Sequence, residues 1–152
     1  MGLFNRRIYL SFTYLSLALA LSLTIAIWLG IRIRDRHRVY HMYQQLYFFG
    51  GRACSSRIGD PVAPPATLNH LAQLITASPT YDAAVDRMDL ILAGGDPWGQ
   101  SLKYEWSPKH SELRIRSIGP DQSDDHGLND DIELCIKWTR PRHIKYMTMP
   151  DI

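Results

Sequence analysis

The chain has 152 residues, a net charge of +2 and two cysteines. Its charge is close to neutral, so there is no electrostatic footprint for nucleic acid. Two cysteines, Cys54 and Cys135, fit no metal-binding spacing and are compatible with either one disulfide outside the cytoplasm or two free thiols.

Residues 1–7 form a short N-terminus carrying Arg6 and Arg7, which is cytoplasmic if the soluble domain lies outside. Residues 8–31 then run without a charge, longer than the ~20 residues that cross a bilayer as a helix. A cleavable signal peptide has an apolar core of only about 7–15 residues and a small-residue cleavage site. This run is longer and ends in Trp28-Leu29-Gly30-Ile31-Arg32, so it reads as a retained anchor. Arg32, Arg34, Arg36 and Arg38 follow it. By count, the positive-inside rule puts the C-terminal side in the cytoplasm.

Residues 32–50 continue as an amphipathic helix. Val39, Met42 or Tyr43, Leu46 and Phe49 recur at steps of three and four, and Gly50-Gly51 is expected to stop the helix. The soluble domain spans residues 51–138. Residues 52–66 are rich in Gly, Ser and Pro and read as loop. Thr67 is placed to cap a short helix through about residue 77, with Leu68, Leu71, Ala72 and Ile75 on one face. After Ser78-Pro79-Thr80, residues Tyr81, Ala84, Val85, Met88, Ile91 and Leu92 make a second helical face ended by Gly94-Gly95.

Asp96-Pro97-Trp98-Gly99 is a turn. Leu102, Tyr104 and Trp106 alternate with polar residues, as do Leu113 and Ile115, and then Ile132, Leu134, Ile136 and Trp138. The expected fold is α+β: a long N-terminal membrane-spanning helix, short helices, then a small antiparallel sheet of about three strands. The basic, Pro-interrupted tail, residues 139–152, has no assigned place.

Between the second and third strands lies an acidic loop, residues 117–132, with Asp121, Asp124, Asp125, Asp130 and Asp131. Like charges this dense repel unless water or a cation separates them. Hard oxygen ligands on a turn-rich loop suit calcium better than magnesium. A solvated acidic loop without metal is the other reading of the same residues. An EF-hand is excluded: counting from Asp121, His126 stands where Gly is needed and Ile132 where Glu is needed. No nucleophile motif, phosphate loop or His-Glu zinc pattern occurs, so enzymatic activity is not expected.

The C-terminal half resembles the major pseudopilin of type II secretion systems. The residues that carry the resemblance are Asp96-Pro97-Trp98-Gly99, the strand ending in Ser117-Ile118-Gly119-Pro120-Asp121, and Asn129-Asp130-Asp131-Ile132, in that order. The resemblance implies a pilin-like fold, a single-pass inner-membrane protein and a soluble domain outside the cytoplasm. It implies a structural role beside other pseudopilin-like subunits or secretion-apparatus membrane proteins in the bilayer. It also implies a calcium loop with Asp121, Asp130 and Asp131 as ligands, backbone oxygens near Ser117 and Ile118, and Asp124 or Asp125 as a further ligand. At the N-terminus, Ser11 stands where a prepilin-like signal has Gly, and Ser16 where it has Glu. An anchored binding module that does not polymerise, with Tyr43 and Tyr47 on a partner face, is the alternative.

Overall fold

The computed structural model describes residues 2–55, 63–78, 88–124 and 131–149, with side chains from residue 14 onward. Helix α1 spans Gly2–Ser55, α2 Leu68–Thr76 and α3 Asp89–Leu92. Strands β1 Lys103–Ser107, β2 Glu112–Ser117, β3 Ile132–Lys137 and β4 His143–Met147 form one antiparallel sheet in the order β1-β2-β3-β4. The class is α+β, as expected. The chain divides into two compact units, Met1–Arg36 and His37–Ile152.

In the first unit α1 is long and apolar enough to cross a membrane. Its apolar side chains are bare: Leu17 and Leu19 are 71% and 72% exposed. A soluble core helix would bury one face, so this segment calls for an apolar surrounding. Two of its hydroxyls are satisfied within the helix. Ser22 Oγ donates to the Ala18 carbonyl at 2.9 Å and Thr24 Oγ1 to the Ala20 carbonyl at 2.8 Å. In lipid no water would replace those bonds. Arg32 lies 4.4 Å over the Trp28 ring, an aromatic-cation pair suited to a membrane interface.

In the second unit Val39, Met42, Leu46, Phe49 and Ala53 of α1 are fully buried. They share one core with Leu113, Ile115, Ile132, Leu134 and Ile136 from the inner face of the sheet. Each large side chain so buried contributes roughly 1.5–3 kcal/mol. Gly50-Gly51 does not stop α1, which runs on to Ser55. The stripe explains this, because Ala53 is its next buried position. Gly50 lies close against the sheet. A Cβ there would stand 3.0 Å from Leu134 Cδ1 and 3.1 Å from Ile144 Cδ1.

Helix α2 forms as expected. Thr67 Oγ1 accepts from the His70 amide at 3.2 Å, and Leu68, Leu71, Ala72 and Ile75 face inward. Residues 79–87 of the expected second helix lie outside the described residues. Its end is described in α3. Gly94, with φ +72°, donates its amide to the Ile91 carbonyl, and Gly95 donates to the Leu90 carbonyl, both at 3.0 Å. This pair of bonds is the Schellman closure, which a left-handed glycine permits. The buried Gln45 on α1 accepts from the Leu90 amide at 2.9 Å.

The sheet has a fourth strand, β4, in the tail that had no assigned place. Ile144 pairs with Ile136 and Met147 with Leu134. The register shifts at Cys135/Ile136, so the two β4 residues packed against the core, Ile144 and Met147, are three apart, not two. That bulge breaks the alternation that would mark a strand. Cys54 and Cys135 are free thiols. Burial pushes both thiols above their ordinary value, which disfavours the reactive thiolate.

The two helix glycines should respond oppositely to a side chain. Gly51 meets nothing within 4 Å. Gly51→Ala should raise stability by about 1 kcal/mol through helix propensity. Gly50→Val should lower it by about 1–3 kcal/mol through overpacking. Thermal unfolding of the two variants beside the parent chain checks both signs.

Candidate functional site

The site is built at one end of the sheet, where β1 begins and β2 ends. Lys103 of β1 pairs with Arg116 of β2, and Ser117 pairs with Ile132 of β3. The turn before β1 and the loop after β2 therefore meet at the same edge.

The turn is organised by Asp96, which is buried. Its Oδ1 accepts from the amides of Trp98 at 3.0 Å and Gln100 at 2.8 Å. Gly99, with φ +83°, supplies the left-handed residue the turn needs. The other oxygen, Oδ2, accepts from Ser117 Oγ at 2.8 Å. Ser117 Oγ in turn accepts from the Gly119 amide at 3.4 Å. One carboxylate thus closes the Asp96–Gly99 turn and ties it to the first residues of the acidic loop.

The loop leaves β2 through Gly119, with φ +70°, and Gln122, with φ +60°. Asp121 is exposed, and its Oδ1 accepts from the Ser123 amide at 2.8 Å. Ile118 is half-buried beside the Ser117–Ile132 pair that forms the neck. Asp131, on the other side of the neck, is buried. Asp125 and Asp130 lie outside the described residues, as does His126.

Asp124 turns to the sheet. Its Oδ1 lies 3.2 Å from Arg116 Nη2. The Arg116 side chain is 4% exposed and meets two further carboxylates, Glu133 through Nη1 and Glu105 through Nη2, each at 3.2 Å. Glu133 also accepts from the Tyr146 hydroxyl at 2.5 Å. Burial, and then that bond, push the Tyr146 hydroxyl above its ordinary value. Arg116, Glu105 and Glu133 share the outer face of the sheet, so one guanidinium neutralises carboxylates from β1, β3 and the loop. Sequence reading had treated Arg116 as an ordinary polar strand residue. The available signal was the opposite charges at alternating positions of neighbouring strands.

Among the described residues, no group of three or more His, Cys, Asp or Glu side chains is gathered to hold a metal ion. Asp124 does not fit a metal ligand, because a divalent ion there would sit beside the Arg116 guanidinium and be repelled. The Ser117 hydroxyl is directed to Asp96, which leaves backbone oxygens as the donors near Ser117 and Ile118. Asp121 and Asp131 have the hard-oxygen chemistry that suits calcium.

At the other end of β2 the charge pattern inverts. Glu112 is buried and accepts from Lys145 Nζ at 2.6 Å, with Arg114 at 3.4 Å and Lys137 at 3.8 Å. Lys137 Nζ also donates to the His110 carbonyl. The Lys145 hydrogen bond, the largest cause, holds the Glu112 carboxyl below its ordinary value of 4.5, with Arg114 and Lys137 adding to it.

No protein-family model, characterised protein or solved structure matches this chain.

Two outcomes follow from these contacts. Asp96→Ala removes the acceptor for two turn amides and the Ser117 hydroxyl, and should cost about 2–4 kcal/mol in denaturant unfolding. Glu112 has a depressed folded value, so its contribution is complete above the ordinary 4.5 and is lost as pH falls below that and through the lower folded value. Thermal melts taken from about pH 6 to about pH 3 should show this acid loss in the parent, and a flatter profile in Glu112→Gln.

Proposed function

We propose that this chain is a membrane-anchored, pseudopilin-like structural subunit of a type II secretion-type apparatus. Residues 8–31 anchor it in the inner membrane, and its soluble unit stands outside the cytoplasm. It works beside other pseudopilin-like subunits or membrane proteins of the apparatus, and performs no catalysis.

The observation that carries this reading is the bond from Ser117 to Asp96. The resemblance rests on a turn motif and a loop motif about 20 residues apart in sequence. In the fold the Asp of one accepts from the Ser of the other, so the two motifs act as one structural unit. The bare apolar part of α1, the buried stripe of its second part and the antiparallel sheet agree with the same layout.

Calcium belongs to this proposal as a stabiliser of the loop. Asp121, Asp130 and Asp131 are its side-chain ligands, with backbone oxygens near Ser117 and Ile118. By bridging carboxylates that otherwise repel, the ion would order the loop and add to folding stability. Ser11 and Ser16, in place of Gly and Glu, separate this chain from subunits that are cut and assembled through an N-terminal Glu. A capping or non-filament position in the apparatus follows from that difference.

A reporter active only outside the cytoplasm, fused after Ile152, tests the topology. Activity is expected. An inactive reporter would match the cytoplasmic placement favoured by Arg32, Arg34, Arg36 and Arg38, and would overturn the reading. A separate melt of the full chain in micelles, with calcium against chelator, tests the ion. A higher melting temperature with calcium is expected, and an unchanged one removes calcium from the proposal.

A further inference from the structure

The outer face of the sheet holds a buried cation whose neighbours come from three different segments. Arg116 bonds to Glu133 on β3, Glu105 on β1 and Asp124 in the loop, each at 3.2 Å. These three partners differ in burial. The Glu133 side chain is 3% exposed, Asp124 33% and Glu105 56%. Glu133 is itself fixed, by the Tyr146 hydroxyl on one oxygen and by Thr148 through its backbone, where its amide donates to Thr148 Oγ1 and its carbonyl accepts from the Thr148 amide. The guanidinium is therefore oriented by the sheet. One edge binds the buried Glu133, and Nη2 is left pointing to where the loop descends.

We propose that Arg116 is a built-in cation that latches the acidic loop onto the sheet through Asp124, so that the first half of the loop stays docked without a metal ion. A fixed guanidinium next to Asp124 supplies the opposite charge that crowded carboxylates require. It also keeps a divalent ion away from that carboxylate. The pair is strong for a loop contact because the Arg116 side is desolvated and pre-oriented, and so loses little freedom when Asp124 arrives. Glu105, more exposed and on an edge strand, also pairs with the same nitrogen. The loop thus has two separate holds. One is the Ser117 hydroxyl on Asp96 at the neck, and the other is Asp124 on Arg116 further along. This inference does not rest on the secretion reading, and it holds whether or not calcium binds the second half of the loop.

Backbone hydrogen exchange on the full chain in detergent micelles tests the latch, read at the amides of residues 118–124 other than Pro120. Asp124→Asn removes the loop's charge and leaves Arg116 paired with Glu133 and Glu105, so the sheet should fold normally. Exchange at 118–124 should rise about tenfold in that variant, with the strand amides unchanged. Chelator should leave exchange of the parent chain at these amides within about twofold of its value in calcium. Arg116→Gln should open the same amides. If that variant fails to fold, Asp124→Asn alone decides the matter. Parent-like exchange in Asp124→Asn would overturn the proposal. So would chelator opening the parent as far as Asp124→Asn does, because a metal ion would then be holding the carboxylate.

Discussion

The structure depends on a change of pattern along one helix. From Tyr14 to Ile31, α1 carries no charge and its large apolar side chains are bare. From Val39 onward it is apolar on one stripe, and that stripe is fully buried. The two patterns require two surroundings, the first hydrocarbon or other apolar helices, the second a single packed face. Because the stripe runs without a break from Val39 to Ala53, the sheet has one long surface to pack on. Gly50, where the helix backbone comes near Leu134 and Ile144, is the price of that close approach.

With its inner face committed to α1, the sheet keeps its charges on the outer face and resolves them by position. One end gathers carboxylates around Arg116, and the other gathers cations around Glu112. Both central groups are buried, and each is surrounded by the opposite sign, so neither leaves a bare charge in the interior. The arrangement gives the two ends opposite characters. The acidic loop joins the end that has a cation ready for it, and the turn organised by Asp96 closes the same end from below the first strand.

Much of this was legible in the sequence because it follows from local periodicity and local caps. The α1 stripe, the Thr67 cap, the glycine closure after Leu92 and three strands all rest on residues within a few positions of one another. What was missed depends on partners distant in sequence. Gly50-Gly51 looked like a stop because glycine usually ends a helix, and only the packing against Leu134 and Ile144 shows why the helix continues. The fourth strand was hidden because a bulge puts Ile144 and Met147 out of step. Arg116 reads in the sequence only as a polar residue alternating with Leu113 and Ile115, and its partners Glu133 and Glu105 come from other strands. Of the loop carboxylates, Asp124 was grouped with its neighbours by spacing, yet the fold gives it to the sheet.

The motif resemblance suggests a subunit, and among the described residues α1 carries bare apolar side chains from Tyr14 to Ile31. The most direct test of a structural subunit is what lies against that helix in the membrane. A photo-crosslinking residue placed at Leu19 of the full chain, in native membranes, reports the neighbour. The account predicts crosslinks to pseudopilin-like subunits, either further copies of this chain or other members of the apparatus. Crosslinks to lipid alone, or only to proteins of unrelated architecture, would contradict it.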